Sequence, residues 1–173
     1  MYDLTPFKID LKGLKESATA LEYDLSDAYF EAVEATEVSG GSVHTEVDIR
    51  PCAGFFEVLF RSTGTVRVAC DRCLDDMDQP VSAENRIIVK FGSEESEADD
   101  VVVVDENEGF LDLAWLIYEF IALAIPVRHI HAPGECNADM LRALEEHAAN
   151  SGGNEGAVDS RWNALLKLKG TEN

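Results

Sequence analysis

The sequence predicts an α+β protein in which an antiparallel sheet, able to curl into a partial barrel, is covered by one long helix and followed by a C-terminal helical tail. Two observations lead to this fold class. Apolar and polar residues alternate with a period of two in several stretches, which is typical of half-buried strands. One apolar stretch, residues 113–125, instead has helical spacing. With 173 residues and 46% hydrophobic content, the chain can bury an ordinary core.

Five strands are predicted from the alternation. They cover residues 7–11, 42–49, 55–70, 86–91 and 101–104. One face of the second strand should point to the core, because alternate residues of a strand share a side. Its members are Val43, Thr45, Val47 and Ile49. The third strand is longer than usual, so we expect it to bend or break near residues 62–64 and to place Cys70 on the core side.

Three helices are predicted. Asp112 can cap the longest, which should end before Pro126 because proline cannot donate the helical hydrogen bond. Two shorter helices are expected within 27–33 and 140–147. The helix at 113–125 has a broad apolar face and should cover the sheet.

The predicted organisation is a core domain at 1–148, a flexible linker at 149–158 and an amphipathic tail at 159–173. The linker is rich in glycine and polar residues, which favours a mobile chain. The acidic stretch 93–100 is likewise expected to be a mobile loop. In the tail, Arg161, Trp162 and Leu165 combine a positive charge with apolar anchors. This pattern suits docking, either on a partner or on the chain itself.

The chain is strongly acidic. Its 34 Asp and Glu residues against 14 Lys and Arg give a formal net charge of -20. Because phosphate binding needs Lys and Arg to displace counterions, this balance excludes a generic nucleic-acid coat protein. Any RNA contact should therefore be local. The nearest basic strip consists of Arg61, Arg67 and Arg72, and the competing interpretation is a solvated sheet face.

The sequence contains no export leader, and its most apolar window, 111–125, is shorter than the about 20 helical residues that span a bilayer. We therefore expect a cytoplasmic protein with reduced cysteines and no membrane partner. No phosphate-binding glycine loop, nucleophile elbow or metalloprotease motif occurs. Neither enzymatic activity nor a small-molecule substrate is expected.

Two cysteines, Cys70 and Cys73, stand at the spacing that lets both bind one metal ion. Downstream, Cys136 and His131 offer a third thiol and an imidazole, so the four residues are the predicted ligands of a zinc ion. His129 is the reserve ligand.

Two other interpretations of these cysteines remain open. They can be reduced residues of the core, since free cysteine is commonly buried. They can also form a redox pair, although Asp71, Asp75, Asp76 and Asp78 should raise a thiol pKa rather than lower it.

Four motifs occur in the order that is seen in the YceD family. They are the Cys-Asp-Arg-Cys-Leu turn at 70–74, the Leu-Asp-Leu start of the long helix at 111–113, the segment 131–136, and the Asp-Ser-Arg-Trp tail at 159–162. The chain thereby resembles this family of large ribosomal RNA subunit accumulation proteins over most of its length. The chain departs from the family pattern in two ways. Ser160 stands where many relatives have proline, and the chain keeps only Cys136 where some relatives have additional C-terminal cysteines.

The resemblance implies a non-enzymatic role in the accumulation of large-subunit ribosomal RNA and a genomic association with a small basic ribosomal protein of the large subunit. It carries over the motif positions Cys70, Arg72, Cys73, His131, Cys136, Arg161 and Trp162. An acidic surface suits a basic protein partner. The leading hypothesis is thus a ribosome-assembly factor that binds precursor ribosomal RNA or such a protein. The alternatives are a zinc-stabilised interaction module without a ribosomal role and, third, a thiol oxidoreductase.

Overall fold

The computed structural model describes residues 2–14, 17–93, 98 and 100–148. In chain order, after a 3-10 turn at Thr5–Phe7, the elements are β1 (Lys8–Asp10), β2 (Thr19–Leu25), α1 (Asp27–Ala32), β3 (Gly40–Cys52), β4 (Phe55–Ala69), β5 (Asp76–Phe91), β6 (Val101–Val104), β7 (Phe110–Asp112), α2 (Leu113–Leu123) and α3 (Ala138–His147). Among the described residues, no helix is both long enough and apolar enough to span a membrane. The α+β class is confirmed.

Five strands form the main sheet in the order β2-β3-β4-β5-β6, while β1 and β7 form a separate two-stranded sheet. Every neighbouring pair is antiparallel except β5 and β6, which are parallel. The sheet is therefore mixed rather than purely antiparallel. Within the described part of the chain its order is linear, with β2 and β6 at the edges, and it does not close into a barrel.

The predicted inward face of β3 is confirmed, because Val43, Thr45, Val47 and Ile49 are all buried. The polar member of this face is Thr45, and its buried hydroxyl needs a hydrogen-bond partner. Ser62 supplies it from the opposite position of β4, with 2.8 Å between the two hydroxyl oxygens. Apolar side chains of β4, including Val58 and Phe60, continue the same face.

The central strand β4 continues through residues 62–64 without a break. It can do so because Gly64 lets the backbones of β3 and β4 approach closely. A methyl group at this position would contact the carbonyl oxygen of Ser42 on β3. On the neighbouring strand β3, Gly41, which pairs with Val66, has a φ of 145°, a backbone conformation that residues with a side chain rarely adopt.

Strand β5 begins ten residues earlier than the predicted stretch 86–91, and its first half contains Pro80. Proline fits there because β6 pairs with β5 only from Ile88 onward, so among the described strands the earlier half of β5 has one neighbour, β4. A residue without an amide N–H is tolerated where no second strand needs that donor. Strands β2 and β7 were not predicted. In β2 the signal was present, since Leu21, Tyr23 and Leu25 alternate with two acidic residues, whereas β7 has only three residues.

Helix α2 begins as predicted, with the Asp112 carboxylate accepting a hydrogen bond from the amide of Ala114 at 2.9 Å. It ends at Leu123, two residues before the predicted end. With 11 residues it is an average helix, so the single long helix of the prediction is not confirmed. Its Phe120 packs edge-on against Phe60 of β4, with ring centroids 5.0 Å apart.

Contacts divide the chain into two units, Met1–Asn137 and Ala138–Asn173. The second unit contains α3, which the sequence predicted. The predicted linker at 149–158 and tail at 159–173, together with most of the acidic loop at 93–100, lie outside the described residues. The boundaries of the three predicted regions stay predictions.

Candidate metal centre

The two strands β4 and β5 carry the first half of the site. Because Ala69 pairs with Asp76, residues 70–75 form the turn that joins the two strands. Inside this turn the amide of Cys70 donates to the carbonyl of Asp75, and the amide of Leu74 donates to the carbonyl of Cys70, both at 2.9 Å. The turn places Cys70 and Cys73 side by side and buries both.

The segment after α2 carries the second half, and backbone hydrogen bonds join it to the turn. The amide of Asp71 donates to the carbonyl of His129 at 3.0 Å, and the amide of His129 donates to the Asp71 carboxylate at 2.7 Å. Further along, the Asn137 side chain donates to the carboxylate of Asp75 at 3.0 Å. These contacts bring His131 and Cys136 to the two buried cysteines.

The four predicted ligands lie together: one ligand atom from each of Cys70, Cys73, His131 and Cys136 falls within 4.8 Å of the others. The sulfurs of Cys70 and Cys136 are 4.0 Å apart, and Nδ1 of His131 lies 3.3 Å from the sulfur of Cys73. In tetrahedral zinc geometry, sulfur ligands are separated by about 3.8 Å, and sulfur and nitrogen by about 3.6 Å. The cluster is thus close enough to hold a metal ion.

The orientation of His131 also suits a metal ligand. Its Nε2 lies 3.3 Å from the carbonyl oxygen of Asp76. If Nε2 carries the proton and donates to that carbonyl, Nδ1 keeps a lone pair that points toward the sulfurs. Ligand histidines are commonly oriented by such a bond from the other ring nitrogen.

The thiols of the cluster have different acidities. Burial opposes ionisation of Cys70, but hydrogen bonds from the backbone of Cys73 and Arg72 and from His131 outweigh it and lower its pKa to about 6. Burial, followed by the neighbouring Cys70 and Cys73, raises the pKa of Cys136 to about 11. The expectation that nearby aspartates raise the pKa of the paired thiols is therefore wrong for Cys70. Hydrogen bonds from the turn and from His131 stabilise its thiolate more strongly than burial disfavours it.

The reserve ligand, His129, is not a member of the cluster. Its Nδ1 lies 3.0 Å from the carbonyl oxygen of Pro126, and its Nε2 lies 3.6 Å from the Asp71 carboxylate. The imidazole therefore faces the end of α2 instead of the sulfurs. Its backbone, by contrast, helps to position the site.

The three arginines of the predicted basic strip do not form a surface of unpaired positive charge. Arg61 pairs with the carboxylates of Glu46 and Asp48, both at 2.9 Å. Arg67 lies 3.6 Å from the Asp27 carboxylate. Arg72 is exposed on the cysteine turn, and no ion pair involves it among the described residues. Strand pairing places Glu46 opposite Arg61, and α1 supplies the carboxylate beside Arg67. The alternation within β4 alone could not reveal either pair.

The remaining predicted partner-binding residues, Arg161, Trp162 and Leu165, lie outside the described residues. Asp71 and Asp75 join the two halves of the site through their carboxylates. From the sequence, both residues were interpreted only as negative charge near the cysteines. Their position in and beside the Cys-x-x-Cys motif was the signal that could have identified them.

Taken together, the fold and the cluster define an α+β protein with a centre of three cysteines and one histidine that can hold a metal ion. The family model of the large ribosomal RNA subunit accumulation protein YceD matches residues 58–169. The chain belongs to the YceD family. No curated protein and no solved structure matches it.

Proposed function

We propose that the chain is a non-enzymatic ribosome-assembly factor that is needed for the accumulation of large-subunit ribosomal RNA. It acts by binding precursor ribosomal RNA or a basic ribosomal protein of the large subunit. The family match over residues 58–169 carries this proposal. The alternative, a zinc-stabilised interaction module with no ribosomal role, uses the same metal site but predicts no association with ribosomal particles.

Zinc is the metal that the donor set favours, because three thiolates and one imidazole form a closed tetrahedral set of soft ligands. Such a set leaves no open position for a substrate, so the proposed role of the ion is structural. Bound to Cys70, Cys73, His131 and Cys136, it would hold the turn between β4 and β5 against the segment after α2.

Charge supports the ribosomal protein over the RNA as the direct partner. The net charge of -20 repels a polyanion and attracts a basic protein. Moreover, Arg61 and Arg67 already pair with carboxylates, so binding to phosphate would first have to break those pairs.

Co-sedimentation tests the proposal against its alternative. The tagged chain should sediment with large-subunit precursors in a native lysate, and a basic ribosomal protein should remain bound after nuclease treatment. Absence of the chain from every precursor fraction would contradict the ribosomal role and favour the alternative.

Neutralising the arginine strip should have little effect on that association. We expect Arg61→Gln with Arg67→Gln to leave both the binding of the chain to precursor particles and its salt dependence unchanged, because these guanidinium groups are already paired. Arg72→Gln, at an exposed position without such a pair in the described part of the chain, is the comparison variant. A salt slope that falls by about one for each lost arginine would instead indicate direct contact with phosphate.

The tail is expected to contribute to binding and not to folding. Trp162→Ala, or truncation before Asp159, should reduce association with the precursor while the melting temperature stays nearly unaltered. A tethered apolar anchor raises the local concentration of the binding segment near a partner that is already engaged. The control variant is Asn163→Ala, which changes the residue next to Trp162. A large loss of melting temperature in Trp162→Ala would mean that this residue packs on its own chain.

A further inference from the structure

A groove runs beside the metal centre along the C-terminal half of α2. Its larger part has a volume of about 580 Å³, and a smaller part of about 270 Å³ continues it toward Trp115. The groove has an apolar surface, and we call it the α2 groove. Its principal apolar residues are Leu74, Ala122, Leu123, Ile125 and Val127.

Several of these apolar side chains are in water. Leu123 is 73% exposed, Leu74 is 68% exposed, and Val127 is fully exposed. Trp115, which lines the smaller part, is also exposed and lies two helical turns before Leu123 on the same side of α2. Single exposed apolar residues are ordinary, but a contiguous group around a concave surface marks an interaction site.

The backbone at Leu74 strengthens this interpretation. Its φ is 63°, in the left-handed region where glycine is favoured and a leucine is strained. The turn requires this conformation, since the Leu74 amide bonds to the carbonyl of Cys70. Glycine would fulfil that requirement better, yet the chain has a leucine whose side chain is exposed. Strain of this kind at an exposed position points to a binding role.

The charges around the groove indicate which kind of ligand it can bind. Its lining includes the carboxylates of Glu37, Asp71 and Glu119 but no Lys or Arg among the described residues. Neither Glu37 nor Glu119 forms an ion pair within the described part of the chain. The C-terminal end of α2, which opens into the groove, adds partial negative charge from its last carbonyl groups. A matching ligand is therefore apolar on one side and carries Lys or Arg at its margins.

We propose that the α2 groove binds a basic amphipathic segment of a protein partner, with its apolar side against Leu74, Leu123 and Val127. This inference rests on the proposed function in one respect, namely that the partner is a ribosomal protein. It adds the surface of the chain to which that partner binds. Because Cys70, Asp71 and His129 also line the groove, a zinc ion in the cluster would fix one wall of the binding surface.

Binding of designed peptides to the purified, zinc-loaded full chain tests the groove. The probe is a labelled 18-residue Leu/Lys peptide with helical amphipathic spacing, and the control peptide has the same composition in scrambled order. At about 0.15 M salt, where surface charge is largely screened beyond 8 Å, the patterned peptide should bind at least tenfold more tightly. Equal binding of the two peptides would overturn the proposal, because it would show attraction by net charge alone.

Matched variants locate the contact. Leu123→Lys should weaken binding of the patterned peptide at least tenfold, whereas Phe110→Lys makes the same charge change at an exposed aromatic residue outside the groove and should preserve binding. Leu74→Gly should also weaken binding while leaving the melting temperature unchanged or higher, since glycine relieves the backbone strain. If Leu74→Gly and Leu123→Lys both bind normally, the groove is not the site.

Two further outcomes would assign a different occupant and so overturn the proposal. Truncation before Asp159 that raises peptide affinity tenfold would mean that the chain's own tail competes for the groove. A concentration-dependent dimer that Leu123→Lys abolishes would mean that a second copy occupies it. The groove and the proposed function can fail independently. Peptide binding without co-sedimentation would support the groove and contradict the ribosomal role. Co-sedimentation without peptide binding would support the ribosomal role and contradict the groove.

Discussion

Purified protein is expected to contain close to one zinc ion per chain, and Cys73→Ser should lower both the zinc content and the thermal stability. Cys73 is buried beside Nδ1 of His131, so its loss removes one of four ligands from a closed set. Structural zinc contributes its binding free energy to folding, and we expect a loss of at least about 3 kcal/mol, or roughly 10 °C in melting temperature. Metal analysis and calorimetry measure the two effects.

The control for this experiment is Cys52→Ser. Cys52 is exposed on β3 and is not a member of the cluster, so its substitution should change neither zinc content nor stability. Chelation should lower the melting temperature of the wild-type chain and of Cys52→Ser to about the same value as that of Cys73→Ser. A metal-free chain that melts at an unchanged temperature would reject the zinc site and leave the cysteines as core residues.

Gly64→Ala is expected to destabilise the whole sheet. The added methyl group would meet the backbone of Ser42 and Val43, which cannot move without shifting β3 relative to β4. Backbone cannot yield as a flexible side chain can, so we expect a loss of about 3 kcal/mol, which is roughly 10 °C for a chain of this size. Because β4 leads directly to Cys70, the variant should also bind zinc less tightly.

The matched control is Gly92→Ala, directly after β5. Among the described residues, the new methyl group there approaches only the Val103 side chain, at 3.1 Å, and a small side-chain movement can relieve that contact. We expect a change below about 1 kcal/mol. Thermal melts of the two variants compare the same chemical change with and without an obstructing backbone. Equal stability of the two proteins would contradict the close approach of β3 and β4.

Local patterns predicted much of the fold. The inward face of β3 follows from alternation alone, because a strand that buries one side must place apolar residues at every second position. The start of α2 follows from Asp112, whose carboxylate can satisfy an amide of the first turn. The early half of β5 was missed, since Pro80 and its acidic neighbours contradict ordinary strand preferences and only the pairing with β4 compensates for them.

The sequence by itself determined the chemistry of the site: it predicted Cys70, Cys73, His131 and Cys136 as one ligand set, because thiols and imidazoles at these spacings have few common uses. Only the tertiary structure decided that His129 faces Asp71 instead of the sulfurs, that Arg61 is paired across the sheet, and that Leu74 and Leu123 border one groove. The physical reason is that ligand chemistry belongs to single residues. Pairing, orientation and concave surfaces arise between segments far apart in the chain, and their geometry is set by packing.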